Sequence, residues 1–142
     1  MNVSLMRKIE DERAIKQLLI EYCMALDSMD LEAISDLFTE DCVVNFGPDE
    51  KLNSCGRKQV SKSLERMWRW TRTSHHLSNV KINFGKENQA FSISYVLAWH
   101  ERADKTTATI YGQYHDELSR ESDGWRVKKR TMRKKGTRIP WW

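Results

Sequence analysis

The apolar residues of this chain change their spacing once, near residue 74, and that change constrains the fold more than any other feature. Before it they recur every three or four residues; after it, every second residue. Leu5, Ile9, Ile15, Leu18, Leu19, Tyr22 and Leu26 mark one face of a helix over residues 4–27, with Ser4 as its N-cap. A second short helix follows Asp30, another good cap, with Leu31, Ile34, Leu37 and Phe38 inward. Thr39–Phe46 reads as a strand stopped by Gly47-Pro48. Gly56 introduces a third helix over residues 57–71, whose stripe is Val60, Leu64, Met67 and Trp68. Beyond Ser74, Val80, Ile82 and Phe84 alternate, as do Phe91, Ile93, Tyr95, Leu97 and Trp99. Thr106–Leu118 and Trp125–Met132 complete four long strands, with turns at Gly85-Lys86-Glu87-Asn88 and Glu121-Ser122-Asp123-Gly124. Helices followed by antiparallel strands define an α+β class. The expected architecture is a cone-shaped, curved antiparallel sheet wrapped around three N-terminal helices and enclosing an apolar pocket. Such a pocket suits a small ligand.

The 142 residues make one domain, 1–142, and the 6 Trp and 4 Phe supply a packed interior. No apolar run approaches the ~20 residues that span a bilayer, and the first residues lack a signal-peptide core. A cytoplasmic protein with no membrane partner is the expectation. Three cysteines, Cys23, Cys42 and Cys55, show neither a CxxC pair nor a zinc spacing, and no P-loop or GxGxxG occurs. Neither a metal nor a cofactor is expected. Charge is uneven: residues 120–142 carry nine Lys/Arg against Glu121 and Asp123, a net +7, so the remainder is −3 within a total of +4. Residues 136–142, ending in Trp141 and Trp142, read as a flexible basic tail. Without a recognised motif and with the rest acidic, nucleic acid is not the expected partner.

The segments Glu21–Asp30, Leu37–Val44, Thr73–Val80, Tyr111–Leu118 and Gly124–Arg130 together resemble the SnoaL-like branch of the nuclear-transport-factor-2-like superfamily, over roughly residues 8–133. Each segment alone is a weak signal; their order and spacing carry the resemblance. That family includes scytalone dehydratase, bile acid dehydratase, hexachlorocyclohexane dehydrochlorinase, polyketide cyclases, ketosteroid isomerase and non-catalytic dioxygenase beta subunits. Fold alone therefore does not decide function.

The resemblance implies an Asp27–His75 dyad, in which Asp27 at the end of the first helix orients a histidine that takes a proton from substrate carbon. Chemistry supports the pairing independently: a histidine can act as a base near neutral pH, and a carboxylate fixes its tautomer. An anion at a helix C-terminus opposes the helix dipole, so Asp27 needs a cationic or hydrogen-bonding partner. Its simpler role would be to cap the following turn. His76 is the alternative to His75, because neighbouring strand residues face opposite sides.

Tyr22 matches a carbonyl- or hydroxyl-polarising tyrosine, although a tyrosine on an apolar stripe is often core. Arg130 matches an arginine facing the leaving group. It shares a strand face with Arg126, Lys128 and Met132, opposite Trp125, Val127, Lys129 and Thr131, and the pattern does not say which face is concave. His100 follows a face of small residues, Ser92, Ser94, Val96 and Ala98, that leaves space for ligand. Met24, Val44, Phe46, Met67, Trp68 and Val96 are the expected pocket lining. The expected function is a cofactor-independent lyase (dehydratase) or isomerase acting on a hydrophobic cyclic molecule of polyketide, aromatic or steroid type. The alternatives are a non-catalytic ligand-binding or beta-like subunit, and a polyketide cyclase. Tyr95, Leu97 and Trp99 would lie on the convex face and pair two copies into a homodimer, or a higher homo-oligomer.

Overall fold

A computed structural model describes residues 3–47 and 49–138. The first helix, α1 (Val3–Ser28), ends where Ser28 and Met29 turn the chain, Met29 with φ +57°. Asp30 then caps α2 (Leu31–Asp36) by accepting a hydrogen bond from the Ala33 amide at 3.0 Å. Strand β1 (Phe38–Asn45), the short β2 (Asn53–Cys55) and α3 (Arg57–Leu64) follow. Four long strands complete the chain: β3 (Arg72–Phe84), β4 (Gln89–Glu101), β5 (Thr107–Glu121) and β6 (Gly124–Arg138).

The strands form one curved sheet in the order β2-β1-β6-β5-β4-β3. Its junctions are antiparallel except β1 against β6, which is parallel. The three helices and the concave face share one core, including Ile15, Leu19, Ile34, Phe38, Leu118 and Val127. No helix among the described residues is long and apolar enough to cross a membrane.

Four local expectations are corrected. Ser4 lies inside α1 rather than before it, and Leu5 and Ile9 are exposed, because burial along this helix begins only at Asp11. There the Asp11 carboxylate accepts hydrogen bonds from Arg120 and from the Trp125 indole N–H, pinning the helix to the β5/β6 hairpin. The third helix stops at Leu64 and tightens into a 3₁₀ turn over Glu65–Arg69. At three residues per turn, Leu64, Met67 and Trp70 line up inward, and Trp68 is turned out to 60% exposure. Gly136–Arg138 are not tail but the end of β6, paired with Tyr111, Ile110 and Thr109. Trp141 and Trp142 lie outside the described residues.

Arg130 also departs from simple strand alternation. Between Leu118/Val127 and Glu117/Lys129 the β5/β6 register shifts by a bulge. Lys128 and Lys129 are both exposed, and the phase of the strand reverses. Arg130 therefore shares the inner face with Trp125 and Val127, which simple alternation had placed opposite it.

Candidate active site

The last turn of α1 and the first half of β3 meet at Asp27. Three groups donate to its carboxylate: the His75 amide at 2.9 Å, the Thr73 hydroxyl at 2.9 Å, and the His75 ring, whose Nδ1 lies 2.6 Å from Oδ1. The expected partner of this helix-end anion is thus present three times over. Burial works to raise the Asp27 pKa, but the bonds from His75 and Thr73 outweigh it and hold the carboxyl below the usual range. The His75 side chain is 4% exposed. Its Nδ1 is taken by Asp27, and its Nε2 makes no hydrogen bond among the described residues.

His76 is exposed, its ring bonded to the Ser74 hydroxyl at 2.8 Å. Extending the Val80-Ile82-Phe84 alternation backwards would have turned His76 inward instead. A register shift between Ser78 and Lys81, with Asn79 at φ +50°, reverses the phase and selects His75. Asparagine tolerates this left-handed backbone conformation better than most residues.

His75 opens onto a cavity of about 190 Å³. Tyr22, Phe46, Met67, Val96 and His100 also line it. Val44 does not: it is fully buried in the core. Met24 is 65% exposed on the outer side of α1, and Trp68 points to solvent. Ser92 and Ser94 are buried outside the cavity lining, so the open space lies only at the Val96–His100 end of that face. Arg130 is also outside the lining. Its side chain and that of Asp116 are 0% exposed, joined by two hydrogen bonds of 2.8 Å. Its guanidinium lies 4.2 Å from the ring centroids of both Tyr22 and Tyr114. Burial raises the Tyr22 pKa, and the Arg130 charge only partly offsets this.

Trp70, Tyr114, Arg66 and Arg69 line the cavity but were not anticipated. The three-residue spacing of Leu64, Met67 and Trp70 was the available signal for Trp70. Gly112-Tyr114-Asp116-Leu118 alternation was the signal for Tyr114.

His100 is 4% exposed, with its ring 5.3 Å from His75 and 4.9 Å from Trp70. Burial, reinforced by His75, pushes its pKa down to about 4. An unfolded chain binds this proton near pH ~6.5. Stability linked to neutral His100 is therefore complete above that pH and is lost as pH falls toward 4, by at most about 3 kcal/mol. Urea unfolding at pH 7 and pH 4.5 is expected to show this loss, and His100→Gln is expected to flatten it. An unchanged slope in the variant would mean that other groups cause the acid loss.

A helix-end carboxylate, a buried histidine side chain and a small cavity on the concave side of a curved sheet stand together in this fold. The SnoaL-like domain model matches residues 7–131. This chain belongs to the SnoaL-like domain family. Among solved structures, a candidate scytalone dehydratase from Novosphingobium aromaticivorans is 32% identical, over 95% of this chain and 91% of that one, with a TM-score of 0.87. A candidate aromatic ring hydroxylase from the same organism is 26% identical over 93% and 94%, with a TM-score of 0.84. A hexachlorocyclohexane dehydrochlorinase of LinA type 3 from Novosphingobium barchaimii shares the fold at a TM-score of 0.84, with 16% identity over 96% and 94%. No curated protein matches the chain in sequence. The SnoaL-like fold thus accounts for the sheet, the helices and the place of the cavity, while the cavity's chemistry rests on its own residues.

Proposed function

We propose that this SnoaL-like protein is a cofactor-independent dehydratase for a small hydrophobic cyclic alcohol. The observation that carries this reading is the 2.6 Å contact between His75 Nδ1 and the Asp27 carboxylate at the cavity wall. With Nδ1–H donating to Asp27, the Nε2 lone pair is the base. It removes a proton from carbon alpha to an activating group, and the electrons of that C–H bond form the new double bond. The neighbouring C–O bond breaks, and the departing hydroxide takes the proton from the His75 imidazolium and leaves as water, which restores the neutral base. Asp27 stabilises the imidazolium formed on the way.

Tyr22 is the donor assigned to the substrate oxygen, with Arg130 and Asp116 holding it in place rather than touching substrate. Neutral His100 assists departure of the hydroxyl and adds no second cation beside the imidazolium. A cavity of about 190 Å³ favours one or two rings over a four-ring steroid, since drug-sized pockets run from about 300 Å³ upward.

The reaction is tested by following the new conjugated double bond in absorbance with hydroxylated one- and two-ring substrates. Full activity of His75→Ala on a confirmed substrate would refute the carbon-base mechanism. It would favour a cyclase using Asp27 alone, or a ligand-binding module.

The convex face is proposed to pair two copies. Phe91, Ile93, Tyr95, Leu97 and Tyr111 are each 37–44% exposed on neighbouring strands, an apolar area unusual for a monomer. Arg72 stacks 5.6 Å from the ring of Trp99 at the edge of this face. Sedimentation at micromolar concentration is expected to give a dimer, and Leu97→Glu a monomer. A wild-type monomer under those conditions would refute the pairing.

A further inference from the structure

The cavity is apolar in shape but not neutral in charge. Arg66 and Arg69 line it with His75 and His100, and no Asp or Glu is in the lining. The Asp27 charge lies behind His75, committed to three donors. Among the described residues neither arginine makes an ion pair. Arg66 donates from one nitrogen to the Ser63 carbonyl and hydroxyl, both at 2.6 Å, and its guanidinium lies 4.6 Å from the Phe46 ring centroid. Arg69 stacks 5.1 Å from the Trp70 ring centroid.

The 3₁₀ turn over Glu65–Arg69 explains their pairing in space. Residues three apart eclipse one another in such a turn, so two cations stand on one side of it. Burial lowers the Arg66 pKa, and Arg69 lowers it further. Arg66 is a partly desolvated cation with a like charge beside it and no counter-ion, which is costly, and an anion placed between the two arginines offsets that cost. Aromatic and aliphatic walls beside two guanidiniums that make no ion pair among the described residues match a molecule with a flat apolar body and a negative oxygen group at one end. Arginine's planar fork fits a carboxylate well.

We infer that Arg66 and Arg69 are specificity-determining residues that select a cyclic substrate bearing a carboxylate. The inference rests on the reading of this cavity as the substrate site, and it names the substrate class for it. It does not depend on His75 being the base.

The test is binding, measured by calorimetry with 2-naphthoate and its neutral counterpart 2-naphthylmethanol. Wild-type protein is expected to bind the carboxylate about tenfold or more tightly than the alcohol. Arg69→Gln and Arg66→Gln are each expected to cut this preference, and the double variant to bring it to about twofold or less. Arg66→Lys, which keeps the charge, should retain most of it. Arg69 is exposed and donates no hydrogen bond to the core, so Arg69→Gln remains informative if Arg66→Gln proves unstable.

Equal affinity of the two probes in wild-type protein would overturn the inference. So would wild-type affinity for naphthoate in the double variant, which would put the anion on the exposed Lys128, Lys129, Lys134 and Lys135 surface of β6. His75→Ala is expected to keep the carboxylate preference while losing turnover. If it keeps both, the base mechanism falls and the anion site stands. If it loses turnover and wild-type shows no preference, the reverse holds.

Discussion

His75→Ala and Asp27→Asn are each expected to cut turnover by about 100- to 10,000-fold, the range of general-base contributions. The two act as a unit, so the double variant should lose little more than either one. Asparagine keeps the size of Asp27, whose Oδ2 accepts from the His75 amide and whose Oδ1 accepts from the Thr73 hydroxyl, at 2.9 Å each; with its one oxygen in the Oδ2 place it keeps the amide bond, and its NH2 group can donate to the Thr73 hydroxyl oxygen. It lacks the charge that stabilises the imidazolium, and it no longer holds Nδ1 as the protonated nitrogen. The loss should therefore appear in kcat with circular dichroism and unfolding midpoint nearly unchanged. Tyr22→Phe should cost less than either, since the base remains. A Tyr22→Phe loss equal to that of His75→Ala would show that the hydroxyl, not the histidine, carries the critical proton.

Asp116→Ala is expected to cost about 3–5 kcal/mol of folding stability. Arg130 is enclosed by Tyr22, Phe38 and Tyr114, with 0% of its side chain exposed. Burial opposes its charge, and the Asp116 carboxylate more than compensates, so its pKa lies above the ordinary arginine value. Removing Asp116 strands a cation in the core. Removing both partners, as in Asp116→Leu with Arg130→Met, leaves no stranded charge and should cost distinctly less than Asp116→Ala alone. Urea denaturation measures both. A loss below about 1 kcal/mol for Asp116→Ala would mean that water reaches the guanidinium. Because Arg130 packs on Tyr22, partial loss of activity should accompany this destabilisation even where the protein remains folded.

Much of the architecture is legible in the local spacing of the sequence. The change from helical to alternating periodicity located three helices and four long strands. Asp30 as a cap and the turns at residues 85–88 and 121–124 followed from local chemistry. The site was legible only in part. The dipole argument required a partner for Asp27 but not its identity. Neither His75 over His76 nor the inward Arg130 follows from alternation, because both depend on a bulge. The pocket lining was misread at Met24, Val44 and Trp68 for a related reason: apolar character shows that a side chain can be buried, not which neighbour buries it.

The short β2 apart, the order of elements and the need for a counterpart to Asp27 are legible in the sequence. These depend on interactions between residues a few positions apart, and such interactions are written directly in local spacing. Tertiary structure alone decided which histidine meets Asp27 across 48 residues of chain, that Arg130 is locked to Asp116, and that Arg66 and Arg69 face a cavity without a carboxylate. Those outcomes hinge on two register shifts and one tightened helical turn. Each moves a side chain to the other face by a single-residue change of phase, and strand register is chosen by the pairing of distant strands rather than by either strand alone.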